Sequence, residues 1–75
     1  MARTSEQSVK RIRIGDYLAE VPVEFHYDDG KDYSPTLSAA DALRVERVFK
    51  ALKRGDIAAA AIDASVYRLT PVSAA

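Results

Sequence analysis

Seventy-five residues, 48% hydrophobic and 29% charged, with eleven basic and eleven acidic side chains, specify one small folded domain. A chain of this length buries only about 60–65% of its unfolded surface, so its core must be thin. The lack of cysteine excludes disulfides and thiolate metal sites, and no apolar run approaches the roughly 20 residues of a membrane span. The expectation is a cytoplasmic protein with neither signal peptide nor membrane segment.

Residues 1–8 are polar and without period, which predicts a loose tail; residues 9–72 then form one α+β domain, and 73–75 a loose C-terminus. From Val9 the apolar pattern has period two. Ile12 and Ile14 alternate with Arg11 and Arg13. After Gly15-Asp16, the odd positions Tyr17, Ala19, Val21, Val23, Phe25 and Tyr27 are apolar or aromatic, while Glu20, Glu24 and His26 fall on even ones. Gly-Asp suits a two-residue hairpin loop, because glycine supplies the positive φ of its first central position. That loop places Ile14 opposite Tyr17, Ile12 opposite Ala19 and Arg11 opposite Glu20. Pro22 cannot donate a ladder hydrogen bond, so it belongs at a bulge or with its nitrogen facing outward.

Asp28-Asp29-Gly30 signals a second turn, from which Lys31 to Ser34 can return as a short strand carrying Tyr33 to the apolar face. Ser38 reads as a helix N-cap with Asp41 at the third helical position, and Leu37 is placed to staple onto Ala42. Ala42, Val45, Val48, Phe49 and Leu52 form the apolar stripe of a helix over 39–54 that ends at Gly55, with Lys50, Lys53 and Arg54 complementing its dipole. Asp56 can cap a second helix from Ile57 to about Ser65, whose run of alanines permits close packing as an αα-hairpin. Residues 66–69 are read as a closing strand, with a continued helix as the competing assignment. The fold class is therefore α+β: a small antiparallel sheet, either a hairpin or a three-stranded meander, packed against an αα-hairpin.

Chemistry-bearing motifs are sparse. His26 is the sole histidine, and no serine or cysteine can be placed beside it as a nucleophile, so a surface or partner-contact role is the better reading. The run from Asp28 to Asp32 superficially suggests a calcium loop. An EF-hand ends in a bidentate glutamate at position 12, however, where this chain has Ala39. The three glycines are too widely spaced for a phosphate-cradling loop, and carboxylates alone are a poor transition-metal set. No catalytic residue, cofactor or metal is expected.

Charge arrangement carries more information, because the neutral total conceals segregation. Between Asp16 and Asp32 stand Asp16, Glu20, Glu24, Asp28, Asp29 and Asp32 against Lys31; between Leu43 and Arg54 stand Arg44, Arg47, Lys50, Lys53 and Arg54 against Glu46. An acidic strand and turn can meet a basic partner, with Tyr27, Tyr33 or His26 as anchors, and can imitate a phosphate backbone in a Lys/Arg channel. The expected contact residues are Glu20, Glu24, His26, Tyr27, Asp28, Asp29, Asp32 and Tyr33. The alternative is a small DNA- or RNA-binding regulator that lays Arg44, Arg47, Lys50 and Arg54 along phosphates, although a pI near 6.6 and the nearby carboxylates oppose it. A thin core and an open sheet edge leave both monomer and homodimer possible.

The segments Tyr33-Ser34-Pro35-Thr36-Leu37-Ser38, Ala51 to Ala60 and Val66 to Val72 resemble short proteins of GC-rich proteobacteria and their mobile elements. The resemblance covers roughly the C-terminal half. It implies a neighbourhood of antitoxins and phage-encoded inhibitors such as anti-CRISPR proteins, which act by covering a larger protein or nucleoprotein partner, and it carries over no functional residue.

Overall fold

The structure, a computed structural model, describes residues 3–28 and 35–73. Its elements run β1 (Arg3–Ile14), β2 (Tyr17–Asp28), α1 (Ala39–Lys53), α2 (Ile57–Asp63) and β3 (Ser65–Arg68). The three strands form one antiparallel sheet in the order β1-β2-β3, and the helices pack against it. The fold is α+β. Its closing strand is β3, which sets aside the continued helix; the postulated strand at 31–34 lies outside the described residues.

The hairpin turn works as glycine chemistry requires. Gly15 has φ 58 while no non-glycine residue among the described ones has positive φ, which is the sign pattern of a type II′ turn. The two-residue loop pairs Ile14 with Tyr17, Ile12 with Ala19 and Arg11 with Glu20, the register expected from the alternation. Pairing then continues without a bulge to Arg3 opposite Asp28. β1 therefore begins well before Val9. Polar alternation conceals a strand whose side chains cover no core, so the period-two signal vanished where the partner strand still held the backbone.

Core formation is confined to the turn-proximal part of the hairpin. Ala19, Val21 and Val23 on β2 meet Val48, Ala51 and Leu52 of α1 and Ala60 of α2, with Ile12, Ile14, Tyr17, Phe25 and Val45 packed around them. Two of the expected stripe residues lie elsewhere. Ala42 is exposed and Phe49 is 40% exposed, with the Lys53 ammonium 5.4 Å from its ring centroid. Ala51 is buried in their place because α2 packs over that side of α1. Asp56 caps α2 by accepting from the Ala59 N–H at 3.1 Å, and Ser38 caps α1 by accepting from the Asp41 N–H at 3.1 Å. α2 ends at Asp63, earlier than its alanine run alone indicates, because Ala64 turns extended to feed β3.

The molecule measures 53 × 31 × 16 Å. A 12-residue strand is about 40 Å long, so the hairpin sets the long dimension, and only its end beyond Phe25 runs past the core. There the helix-side positions are Thr4 and Tyr27, with Glu6 hydrogen-bonded to Tyr27 in place of a core.

Candidate functional site

Strand alternation divides the expected contact residues between two faces. Glu20, Glu24 and His26 lie on the sheet face turned away from the helices, alongside Leu18 and Pro22, whereas Tyr27 lies on the helix side. Tyr27 donates its hydroxyl to Glu6 Oε1 at 3.0 Å across the hairpin. Asp29, Asp32, Tyr33 and the side chain of Asp28 lie outside the described residues.

The hydrogen bond to Glu6, with desolvation and the nearby negative charge adding to it, raises the Tyr27 phenol above its ordinary value. Replacing Glu6 with glutamine is expected to bring that pKa back down, read as the alkaline ultraviolet transition of one tyrosine moving to lower pH. The sign for stability follows: the interaction contributes fully below the unfolded tyrosine's value of about 10, and its contribution is lost as pH rises through the higher folded value.

Glu20 is engaged within the chain, its Oε2 accepting from Arg11 Nε at 3.0 Å. Glu24 is freer. Its side chain is 42% exposed, and the only described basic side chain within 4.0 Å is the His26 imidazole, at 4.0 Å. The His26 ring has no nucleophilic side chain hydrogen-bonded to it among the described residues, since the Thr36 hydroxyl bonds the His26 carbonyl instead. Beside Glu24 the N-terminal turn of α1 meets the hairpin. Asp41 Oδ2 accepts from the Glu24 backbone N–H at 2.9 Å, Asp41 Oδ1 accepts from Arg44 Nη1 at 2.8 Å, and that same nitrogen reaches the Pro22 carbonyl at 3.3 Å. A shallow depression of about 200 Å³ lies here among Gln7, Pro22, Glu24, Asp41 and Arg44.

The helical cations do not form one continuous stripe. Arg44 leans over β2, while Arg47, Lys50 and Arg54 border an open groove of about 420 Å³ between α1 and α2, shared with Ile62 and Asp63. Each has an acidic neighbour. Arg47 makes a forked contact with Asp63 at 3.2 and 3.4 Å, Lys50 reaches Glu46 at 3.2 Å and Arg54 reaches Asp56 at 3.5 Å. Comparisons with family models, curated proteins and solved structures return no match.

Geometry therefore separates two surfaces: a basic helical groove whose charges are matched internally, and a projecting hairpin whose outer face carries Glu24 and His26 toward the acidic segment that follows. Among the described residues no three metal-ligating side chains converge. No helix there is long and apolar enough to cross a membrane. Sequence reasoning missed the Asp41–Glu24 contact, because a carboxylate at the third helical position already has a local explanation in the helix dipole. The only available signal was Pro22, which marks a strand edge in need of cover.

Proposed function

We propose that this protein is a non-catalytic binding module that masks a basic, nucleic-acid-handling partner with the distal end of its β1–β2 hairpin, in the manner of an antitoxin or a phage-encoded anti-CRISPR inhibitor. The observation that supports this reading is the imbalance of internal charge pairing. Arg44, Arg47, Lys50 and Arg54 each have a carboxylate within 3.5 Å, whereas among the described residues Glu24 has only the histidine at 4.0 Å. The chain continues from β2 into Asp28, Asp29 and Asp32 with one lysine among them. Negative charge concentrated on β2 and in the sequence that follows it can steer a basic surface toward it and occupy a channel built for phosphates. Glu24, His26, Asp28, Asp29 and Asp32 carry the contact; Glu20 supports the hairpin through Arg11.

The nucleic-acid-binding alternative requires Arg44, Arg47, Lys50 and Arg54 to leave their carboxylates for phosphates. Exposed pairs are individually weak, about 0–1 kcal/mol, but the carboxylates remain on the same surface and repel the duplex.

The test compares the wild-type chain with the Asp28→Lys, Asp29→Lys, Asp32→Lys variant in affinity capture from the native lysate, at low and high salt. Capture is expected to fall by at least about tenfold on charge reversal, a difference of about 1.4 kcal/mol, and to weaken with salt. Equal capture by both chains rejects the acidic contact, and a wild-type gel shift of duplex DNA or RNA at about 50 mM salt transfers the function to the helical face.

A further inference from the structure

The two long edges of the sheet are treated differently. Along β2, beyond the four-residue β3, the outward backbone groups from Pro22 to His26 are covered apart from the Glu24 carbonyl. Arg44 caps the Pro22 carbonyl, Asp41 takes the Glu24 N–H, and Thr36 pairs with both the N–H and carbonyl of His26 at 2.8 and 2.9 Å. Because these even-numbered groups face away from β1, the odd-numbered groups of β2 face it, opposite even-numbered residues of β1. The odd-numbered residues Ser5, Gln7, Val9, Arg11 and Arg13 therefore direct their N–H and C=O groups outward. None of these groups bonds another described residue. This edge runs the length of a 12-residue strand with no bulge and no proline, two of the usual devices against strand addition.

We propose that the open edge of β1 pairs antiparallel with β1 of a second copy of the chain, about a two-fold axis at Ser8, joining two three-stranded sheets into one. Strand parity allows an axis only where odd residues meet odd ones, and charge selects among the allowed positions. With the axis at Ser8, Glu6 of each copy stands opposite Lys10 of the other in a non-hydrogen-bonded pair, where opposing side chains are closest. Glu6 and Lys10 are both exposed, and Lys10 has no carboxylate within salt-bridge range among the described residues. An axis at Gln7 sets Glu6 against Ser8 and Lys10 against Thr4. An axis at Val9 sets Glu6 against Ile12, and one at Lys10 opposes two lysines. The Ser8 register puts Arg3 opposite Arg13 at the two ends and is otherwise free of like-charge pairs. An isologous contact of this kind closes as a dimer and offers no further open edge of comparable length.

This inference does not depend on the proposed function, and its readout is mass, not partner capture. Sedimentation equilibrium of the wild-type chain over micromolar to millimolar concentration is expected to show a monomer–dimer equilibrium. Gln7→Pro removes one outward N–H and leaves the β1–β2 ladder untouched, so it is expected to give a monomer with an unchanged circular dichroism spectrum. Lys10→Glu is expected to weaken the dimer by about tenfold, and the exchange Glu6→Lys with Lys10→Glu to restore it even if Gln7→Pro fails to fold. Ser8→Cys, the sole thiol of its chain, is expected to form a disulfide-linked dimer under mild oxidation where Thr4→Cys does not. A wild-type chain monomeric at every concentration overturns the proposal, as does a dimer indifferent to Lys10→Glu.

Discussion

Val48→Asp is expected to leave the chain unfolded, whereas Leu43→Asp, five residues earlier on the same helix, is expected to leave it folded. Val48 is fully buried against β2, and Leu43 is 56% exposed. An unpaired carboxylate at Val48 has no described hydrogen-bonding partner, since no polar or charged residue is buried among the described residues. The cost of such a charge is several kcal/mol even after relaxation and water penetration. A core of this size supplies only about 3–5 kcal/mol of net stability. Three of its seven buried members are alanines, which leaves Val21, Val23, Val48 and Leu52 to hold the sheet and helices together. Far-UV circular dichroism and amide dispersion in a proton–nitrogen NMR spectrum distinguish the two variants; a Val48→Asp chain with native dispersion would place the core elsewhere.

The same thinness determines which parts of the fold could be read in advance. The hairpin register was legible because Gly15-Asp16 allows one loop geometry and a slip of one residue would expose Ala19, Val21 and Val23 together. Ser38 and Asp56 were legible because capping is local chemistry, confined to three residues. The beginning of β1 was not, because residues 3–8 gain their conformation from pairing with β2, and residues 4–8 bury almost nothing that a hydrophobic period could register. Phe49 misled for the opposite reason: its spacing fits the stripe, but α2 covers the other flank of α1, where Ala51 is buried.

The candidate surface was legible only in part. Counting charges along the chain exposes the segregation but not its internal compensation, since Arg11–Glu20 crosses a strand pair and Arg47–Asp63 joins two helices. The first follows from the hairpin register. The second, whose partners are 16 positions apart in sequence, needed the packing of α2 on α1 to be known. Alternation also places Tyr27 on the opposite face from His26, a consequence of period two that a list of neighbouring residues hides.

Asp41→Ala is expected to destabilise the protein by about 2–3 kcal/mol, more than any other single charge removal on α1. Three contributions coincide at this carboxylate. It accepts the Glu24 N–H in a part-buried position, and orphaning such a donor costs about 1–3 kcal/mol. It holds Arg44 at 2.8 Å, a part-buried pair within one helix that adds about 1 kcal/mol. It also lies in the first turn of α1, where a negative charge gains about 0.3–1 kcal/mol from the dipole. Asp41→Asn keeps an acceptor for the N–H and loses the charge, so its cost should be about half. Arg44→Ala removes only the pair and the cap on the Pro22 carbonyl, and should cost less still. Thermal unfolding at fixed protein concentration ranks the three variants, with Asp41→Ala melting about 8–24 °C lower, given about 4–8 °C per kcal/mol for a domain of this length. Hydrogen exchange locates the cause: the Glu24 amide should lose protection in Asp41→Ala and retain it in Arg44→Ala. A Glu24 amide equally protected in both would mean that the edge of β2 is closed by the Thr36 bridge, with Asp41 acting on its own helix alone.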